Sequence, residues 1–315
     1  MSVSIGVLMT AHNRRPKTLS CLAALYAQRI DPSEQLSVYL VDDGSTDGTS
    51  HAVRHQFPNV QVIAGSGNLY YVGGMRAAYD AATKRPHDYH LWLNDDTVLY
   101  PSAIAALLAT ERNLTRAGYP NAIVAGATRD PATRRQVSGG FYFKWHRVFM
   151  RFELVEPAPH PQPCDTAAGN CLLIPRKVYE VVGNLSASYT HIVGDLDYGL
   201  RAVENGYTIW QAPEYLGETP DDHPATNQVY ELPTLGTVFS QLRNPKGLNY
   251  GSNFQHRFVP TKEWTKFLRR FRPFAWPIAW LLTYRKLVPL LLRRAFHRGS
   301  ARALAVMSRL RGSAP

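Results

Sequence analysis

Short apolar runs at 4–9, 36–41, 60–64 and 90–93 are too brief for helices and read as buried strands. Between them, apolar positions recur with helical spacing. Helices are predicted from Lys17 to Ala27 with Pro16 near the start, from Thr49 to Gln56, from Gly74 to Thr83, and from Ser102 to Ala117 behind Pro101. Strand and helix alternate four times in the first 117 residues, which predicts an α/β fold with a mostly parallel sheet flanked by helices. Polar clusters at 10–14, 42–47 and 94–97 follow strands directly. They fall at the carboxyl ends, where such sheets hold ligands.

From 120 to 225 the pattern loosens. Short strands are expected near 123–126, 136–143, 171–174 and 208–211, and helices near 176–182 and 195–205. The run Pro157–Pro163 is a proline-rich loop, and no internal repeat is present. Residues 1–225 are read as one unit and 226–315 as an extension.

Composition fits a globular chain: of 315 residues, 45% are hydrophobic and 19% charged. Cysteines at 21, 164 and 171 form neither a disulfide framework nor a zinc-binding pair. The first residues lack a basic flank and a long apolar run, so a cytoplasmic location is expected. The net charge of +11 is unevenly spread. Residues 254–315 hold 14 Lys and Arg against one acid, Glu263, leaving 21 bases and 23 acids before them.

Five constellations could carry chemistry. Asp42-Asp-Gly-Ser-Thr-Asp-Gly48 is either an Asx-turn capping the next helix or a carboxylate site for a ring N–H or a ribose hydroxyl. Asn94-Asp-Asp96 places two repelling carboxylates at a strand end, where a divalent cation completed by a diphosphate would compensate them. The alternative is a surface turn. The Gly65–Arg76 segment is glycine-rich, and Gly73-Gly74 would open a helix whose N-terminus favours an anion, although the Walker ending is missing. Asp195 and Asp197 sit close together at a helix start, where an acid can be only a cap. In Asp221-Asp-His223, the histidine is a candidate third metal ligand or part of a solvated loop.

Taken in order, these residues resemble family 2 glycosyltransferases of the GT-A fold over about residues 3–225. Val7–Arg14 is similar to the first strand and loop of that family, and Val41–Asp47 to its most recognisable signature. Gly67-Asn-Leu-Tyr-Tyr-Val-Gly-Gly74 resembles the Asn-x-Gly-x-x-Gly-Gly loop of its polysaccharide-making members, with Tyr70 in place of the first Gly. Asn94-Asp-Asp96 stands where the Asp-x-Asp motif is expected, and Gly194-Asp195 where Glu-Asp is usual.

The resemblance implies a nucleotide-binding half over 1–117 and an acceptor half over 118–225. It implies that Thr10, His12, Asp42 and Asp43, with Asn68 and Gly74, hold the donor nucleotide, and that Asp95 faces the ribose or donor sugar. Asp96 and His223 would bind Mn²⁺ or Mg²⁺, and Asp195 would take the proton of the acceptor hydroxyl. The implied reaction is inverting transfer from a UDP- or dTDP-linked sugar to a lipid-linked glycan of the bacterial surface. Two rival functions fit the residues less well. A sugar-phosphate nucleotidyltransferase wants a glycine-rich loop after the first strand, and Thr10–Arg14 has no glycine. A nucleic-acid binder wants a basic body, and the body is nearly neutral.

The tail alternates basic pairs with apolar, Trp-rich runs between Phe267 and Phe296. Its longest charge-free run, 273–284, contains two prolines and is shorter than the roughly 20 residues that span a bilayer. A peripheral position on the anionic inner face of the cell membrane is therefore expected. Packing or an oligomer contact is the alternative, and nucleic acid is the least favoured partner.

Overall fold

The computed structural model describes residues 3–146, 149–191, 193–221, 262–271, 273–274 and 276–277. The predicted alternation builds one half of a central sheet. Strands β1 (Val3–Ala11), β2 (Glu34–Asp42), β3 (Gln61–Ala64) and β4 (Tyr89–Leu93) alternate with helices α1 (Arg15–Tyr26), α2 (Thr49–Gln56), α3 (Tyr70–Ala82) and α4 (Ala103–Arg116). β1 pairs in parallel with both β2 and β4, and β2 with β3. Ile5, Val7 and Met9 of β1 are fully buried with Leu40 of β2 and Leu91 and Leu93 of β4. Fully burying such a side chain contributes about 1.5–3 kcal/mol.

A two-residue strand that was not expected, β5 (Val98–Leu99), follows β4, and the looser stretch supplies the rest: β6 (Ile123–Arg129), β7 (Gln136–Ser138), β8 (Gly140–His146), β9 (Phe149–Leu154), β10 (Gln162–Cys164), β11 (Thr166–Ala167), β12 (Cys171–Pro175), α5 (Arg176–Val182), α6 (Gly194–Glu204) and β13 (Ile209–Glu218). The main sheet runs β10-β13-β6-β12-β4-β1-β2-β3, with β5 on β13 and β7 on β6. β12 lies antiparallel between β4 and β6, so the sheet is mixed. β8, β9 and β11 form a second, three-stranded sheet. The single strand expected over 136–143 is thus two strands, divided at Gly139 and belonging to different sheets.

One helix boundary differs with a clear cause. α3 starts at Tyr70, one turn before the expected Gly74. The N–H groups of Leu69 and Tyr70 donate to the Asp43 carboxylate, and that of Val72 donates to the Thr190 carbonyl. Partners outside the helix therefore supply its N-terminal caps. Gly73 and Gly74 lie inside the helix and do not open an anion site.

The chain divides into two compact units, Met1–Lys144 with Arg151–Asp222, and Trp145–Met150 with His223–Pro315. The second unit contains α7 (Lys262–Phe271), with Phe267 and Leu268 buried and Arg269 and Arg270 exposed. The Arg269 guanidinium lies 4.3 Å from the centroid of the Trp276 ring. Among the described residues, no helix is long and apolar enough to cross a membrane.

Candidate active site

The loops after β1 and β2 are tied together by hydrogen bonds. Asn13 N–H donates to Ser45 Oγ at 2.9 Å, and Thr46 N–H donates to Asn13 Oδ1 at 2.7 Å. Arg15 N–H donates to Asp47, whose other oxygen accepts from Thr49 N–H. These bonds hold the Asp47 carboxyl below the usual carboxylate range, the Thr49 hydroxyl contributing most. His12 Nδ1 is 2.7 Å from the Asp43 carbonyl, so Nδ1 carries the hydrogen, and Nε2 is left to accept from the Asn13 amide.

Both aspartates after β2 are buried and engaged. Asp42 accepts from Ser45 N–H and from the Ser50 hydroxyl. Asp43 accepts from the N–H groups of Gly67, Leu69 and Tyr70 at 2.7–2.9 Å. The 65–70 loop is therefore folded around one carboxylate, and Asn68 is exposed on it. Thr10 faces α3 so closely that a Cβ at Gly74 would sit 2.1 Å from Thr10 Oγ1. Only glycine admits that contact.

After β4 the chain turns tightly, Thr97 N–H donating to the Asn94 carbonyl. This turn presents Asp95 and Asp96, only 5% and 8% exposed. Arg14 Nη1 donates to Asp96 Oδ2 at 2.6 Å and to Asp95 Oδ1 at 3.3 Å. Thr18 Oγ1 donates to Asp95 Oδ2. Asp96 Oδ1 is buried and has no hydrogen-bond partner. Burial first, then the Asp96 charge, raises the Asp95 carboxyl to about 7, against the opposing pull of Arg14. A buried, unsatisfied carboxylate oxygen beside a second acid fits a cation. Among the described residues no group of three or more acids, histidines and cysteines could hold a metal alone, and His223 lies outside those residues. Thr97, the neighbour of Asp96, has its Oγ1 2.9 Å from that of Thr219.

Asp195 lies in the first turn of α6. Its oxygens accept from Gly169 N–H at 3.0 Å and Leu196 N–H at 2.9 Å. Burial raises its carboxyl above the ordinary range, partly offset by those N–H groups. Asn94 N–H donates to the carbonyl of Asn170, beside Gly169, so residues 169–170 link the Asp95–Asp96 turn to Asp195. Asp197 is fully buried and bonds Arg201 and Tyr189, a structural role that separates it from Asp195. The glycine at 194 also has a steric reason: a Cβ there would lie 2.5 Å from Val72 Cγ2 of α3. Preceding it, Val193 adopts φ 56°, a costly conformation for a β-branched residue.

Of the residues predicted for the site, Thr10, His12, Asp42, Asp43, Asp95 and Asp96 lie at the carboxyl ends of β1, β2 and β4, Asn68 in the loop after β3, Gly74 inside α3 against Thr10, and Asp195 at the start of α6, while His223 is outside the described residues. Sequence reasoning assigned no role to Arg14, Thr18, Gly169 or Tyr71. Arg14 was detectable in principle, as a lone base at one strand end facing two acids at the next. Tyr71 was not: its hydroxyl is buried without a partner, and it senses the Asp195 charge only through the fold.

A profile described as Glycosyl transferase family 2 matches residues 6–182, more than half of the chain. N-acetylglucosaminyl-diphospho-decaprenol L-rhamnosyltransferase of Mycobacterium tuberculosis is 30% identical over 201 residues, which cover 56% of this chain and 64% of that protein. The chain thus spans under two thirds of the length of that curated relative. Among solved structures, Staphylococcus aureus TarS 1-349 matches with a TM-score of 0.51 at 12% identity, over 70% of this chain and 60% of that one. GalNAc-T7 with UDP, GalNAc and Mn²⁺ matches with a TM-score of 0.54 at 11% identity, over 70% and 43%. At these identities the structural likeness shows a shared fold.

Proposed function

From the premise that the chain belongs to glycosyl transferase family 2 and has the GT-A fold, we propose that it transfers a sugar from a nucleoside diphosphate to a hydroxyl of a lipid-linked glycan, with inversion. The observation that carries this reading is the pairing of two differently prepared carboxylate sites. Asp96 presents a buried oxygen without a partner, and Asp195 is a carboxylate that burial makes more basic. Residues 169–170 join the two.

In this reading the laced loops of β1 and β2 bind the nucleotide through Thr10, His12, Asn68 and backbone groups, while Asp42 and Asp43 shape the loops that do so. Asp95 meets the ribose or donor sugar. Asp96, with His223, would hold Mn²⁺ or Mg²⁺, which offsets diphosphate charge and so improves the leaving group. Asp195 accepts the proton of the acceptor hydroxyl as that oxygen attacks from the face opposite the diphosphate. The basic, Trp-rich tail would bring this chemistry to an anionic membrane surface, where a lipid-linked acceptor resides.

The named relative supports a diphospho-lipid acceptor and makes rhamnose the first sugar to try. The test is turnover of purified protein on a panel of UDP- and dTDP-sugars, with and without Mn²⁺, using a diphospho-lipid GlcNAc acceptor. Metal-dependent transfer from one donor is expected. Full activity in excess EDTA would overturn the role of Asp96.

A further inference from the structure

Arg14 has no part in the roles assigned above, yet it makes the shortest ion pair to the Asp95–Asp96 turn. Its side chain is 42% exposed, whereas those of Asp95 and Asp96 are 7% and 9% exposed. A long cationic side chain thus reaches from the solvent side onto a buried acid pair. Its main chain is fixed: the Arg14 carbonyl accepts from both Thr18 N–H and Thr18 Oγ1 at the start of α1. Its guanidinium satisfies Asp96 Oδ2 and leaves Asp96 Oδ1 without a partner.

We propose that Arg14 is a resident counter-ion that reserves the Asp95–Asp96 pair for a divalent cation arriving with a diphosphate. In the donor-free protein the guanidinium occupies the pair. When cation and donor enter together, it turns from the carboxylates to the diphosphate oxygens. The inference rests on the reading of Asp96 as a cation ligand.

A bare dication at Asp96 Oδ1 would face a guanidinium bonded to the other oxygen of the same carboxylate, and the two repel. A diphosphate removes that conflict. It offers the planar guanidinium anionic oxygens that accept charge-assisted hydrogen bonds in place of the carboxylates it leaves. The exchange keeps every ion paired, whereas entry of the cation alone does not. Cation and nucleotide therefore favour one another's binding, and Arg14 is the physical link between them. Order of entry is then set by the protein: an empty site does not scavenge metal.

The test is Mn²⁺ binding, read from the electron paramagnetic resonance signal of free Mn²⁺, on the full chain as wild type, Arg14→Ala and Arg14→Lys. Each is titrated without nucleotide, with UDP and with dTDP. Wild type is expected to bind Mn²⁺ at least about fivefold more tightly with one of the nucleotides, the lower end of ordinary coupling between sites. Arg14→Ala should bind Mn²⁺ alone at least about fivefold more tightly than wild type and lose most of the nucleotide effect. Arg14→Lys keeps the charge and should stay near wild type without nucleotide. Thermal melting guards against a folding defect: Mn²⁺ alone should raise the melting temperature of Arg14→Ala more than that of wild type. Equal Mn²⁺ affinities of wild type and Arg14→Ala without nucleotide, or equal melting shifts, would overturn the inference. Wild type that bound no Mn²⁺ with either nucleotide would bring down the reading of Asp96 itself, and this inference with it.

Discussion

Two pairs of adjacent aspartates flank β1, and the fold treats them in opposite ways. Asp42 and Asp43, after β2, direct their oxygens to N–H and hydroxyl donors of the surrounding loops. Asp95 and Asp96, after β4, are equally buried but rely on one arginine and one threonine, and one oxygen has no partner. The oxygens of the first pair are met by donors of the protein itself. The second is left with unmet electrostatic demand, which is what a ligand can satisfy. Residue type and burial are alike in both, so the inventory of donors is what distinguishes them.

The sharpest way to break this contrast is at Asp96. Asp96→Ala should abolish measurable transfer while the protein still melts cooperatively near the wild-type temperature. Normal turnover by this variant would erase the distinction between the pairs. Asp195 is the next largest effect. Asp195→Asn should lower kcat by roughly a hundredfold or more, in line with loss of a general base, with nucleotide affinity nearly intact. Because burial raises the Asp195 carboxyl, the wild-type kcat should fall on the acid side at a higher pH than an ordinary carboxylate would give. An acid limb in the ordinary range would remove Asp195 from the base role.

Asp43 tests the other side. Asp43→Ala strips three backbone donors of their acceptor and should cost about 1–3 kcal/mol of stability in urea unfolding. If instead it left stability unchanged and abolished donor binding, Asp43 would contact the nucleotide directly. The last test lies at the opposite end of β4, away from both pairs. His90 is fully buried, stacks on Tyr179 at 3.8 Å, and has neither ring nitrogen bonded. Burial, with a smaller push from His87, lowers it to about 3. Between that value and the unfolded value near 6.5, the unfolded chain binds the extra proton, so stability falls as pH falls through this window. His90→Phe should flatten the melting temperature between about pH 6.5 and pH 4. An unchanged slope would mean that other groups set the acid sensitivity.

Much of this fold is written in runs of apolar residues. Strands β1–β4 and helices α1–α4 follow from the pattern of apolar positions, and α2 spans the predicted residues, whereas the two-residue β5 has no such signal. The polar clusters after β1, β2 and β4 were legible as a ligand edge for the same reason. What was not legible is long-range. The early start of α3 depends on Asp43 and Thr190, distant in sequence, supplying its caps. The division of 136–143 between two sheets depends on partners at Arg129 and Ala167 that no local pattern encodes. The separation of Asp195 from Asp197 required seeing which one Arg201 and Tyr189 claim.

The missing side chain at position 194 has a consequence for anyone recombining this protein with its relatives. With Val72 packed where a Cβ would stand, positions 72 and 194 are sterically coupled, although one lies on α3 and the other at the start of α6. A chimera that imports an α6 bearing a larger residue at 194 would need the matching segment of α3 to come with it. Otherwise the graft would be pushed outward at its first turn and would carry Asp195 along. Exchange of segments by cutting between α3 and α6 is thus constrained by two aliphatic methyls and one hydrogen atom.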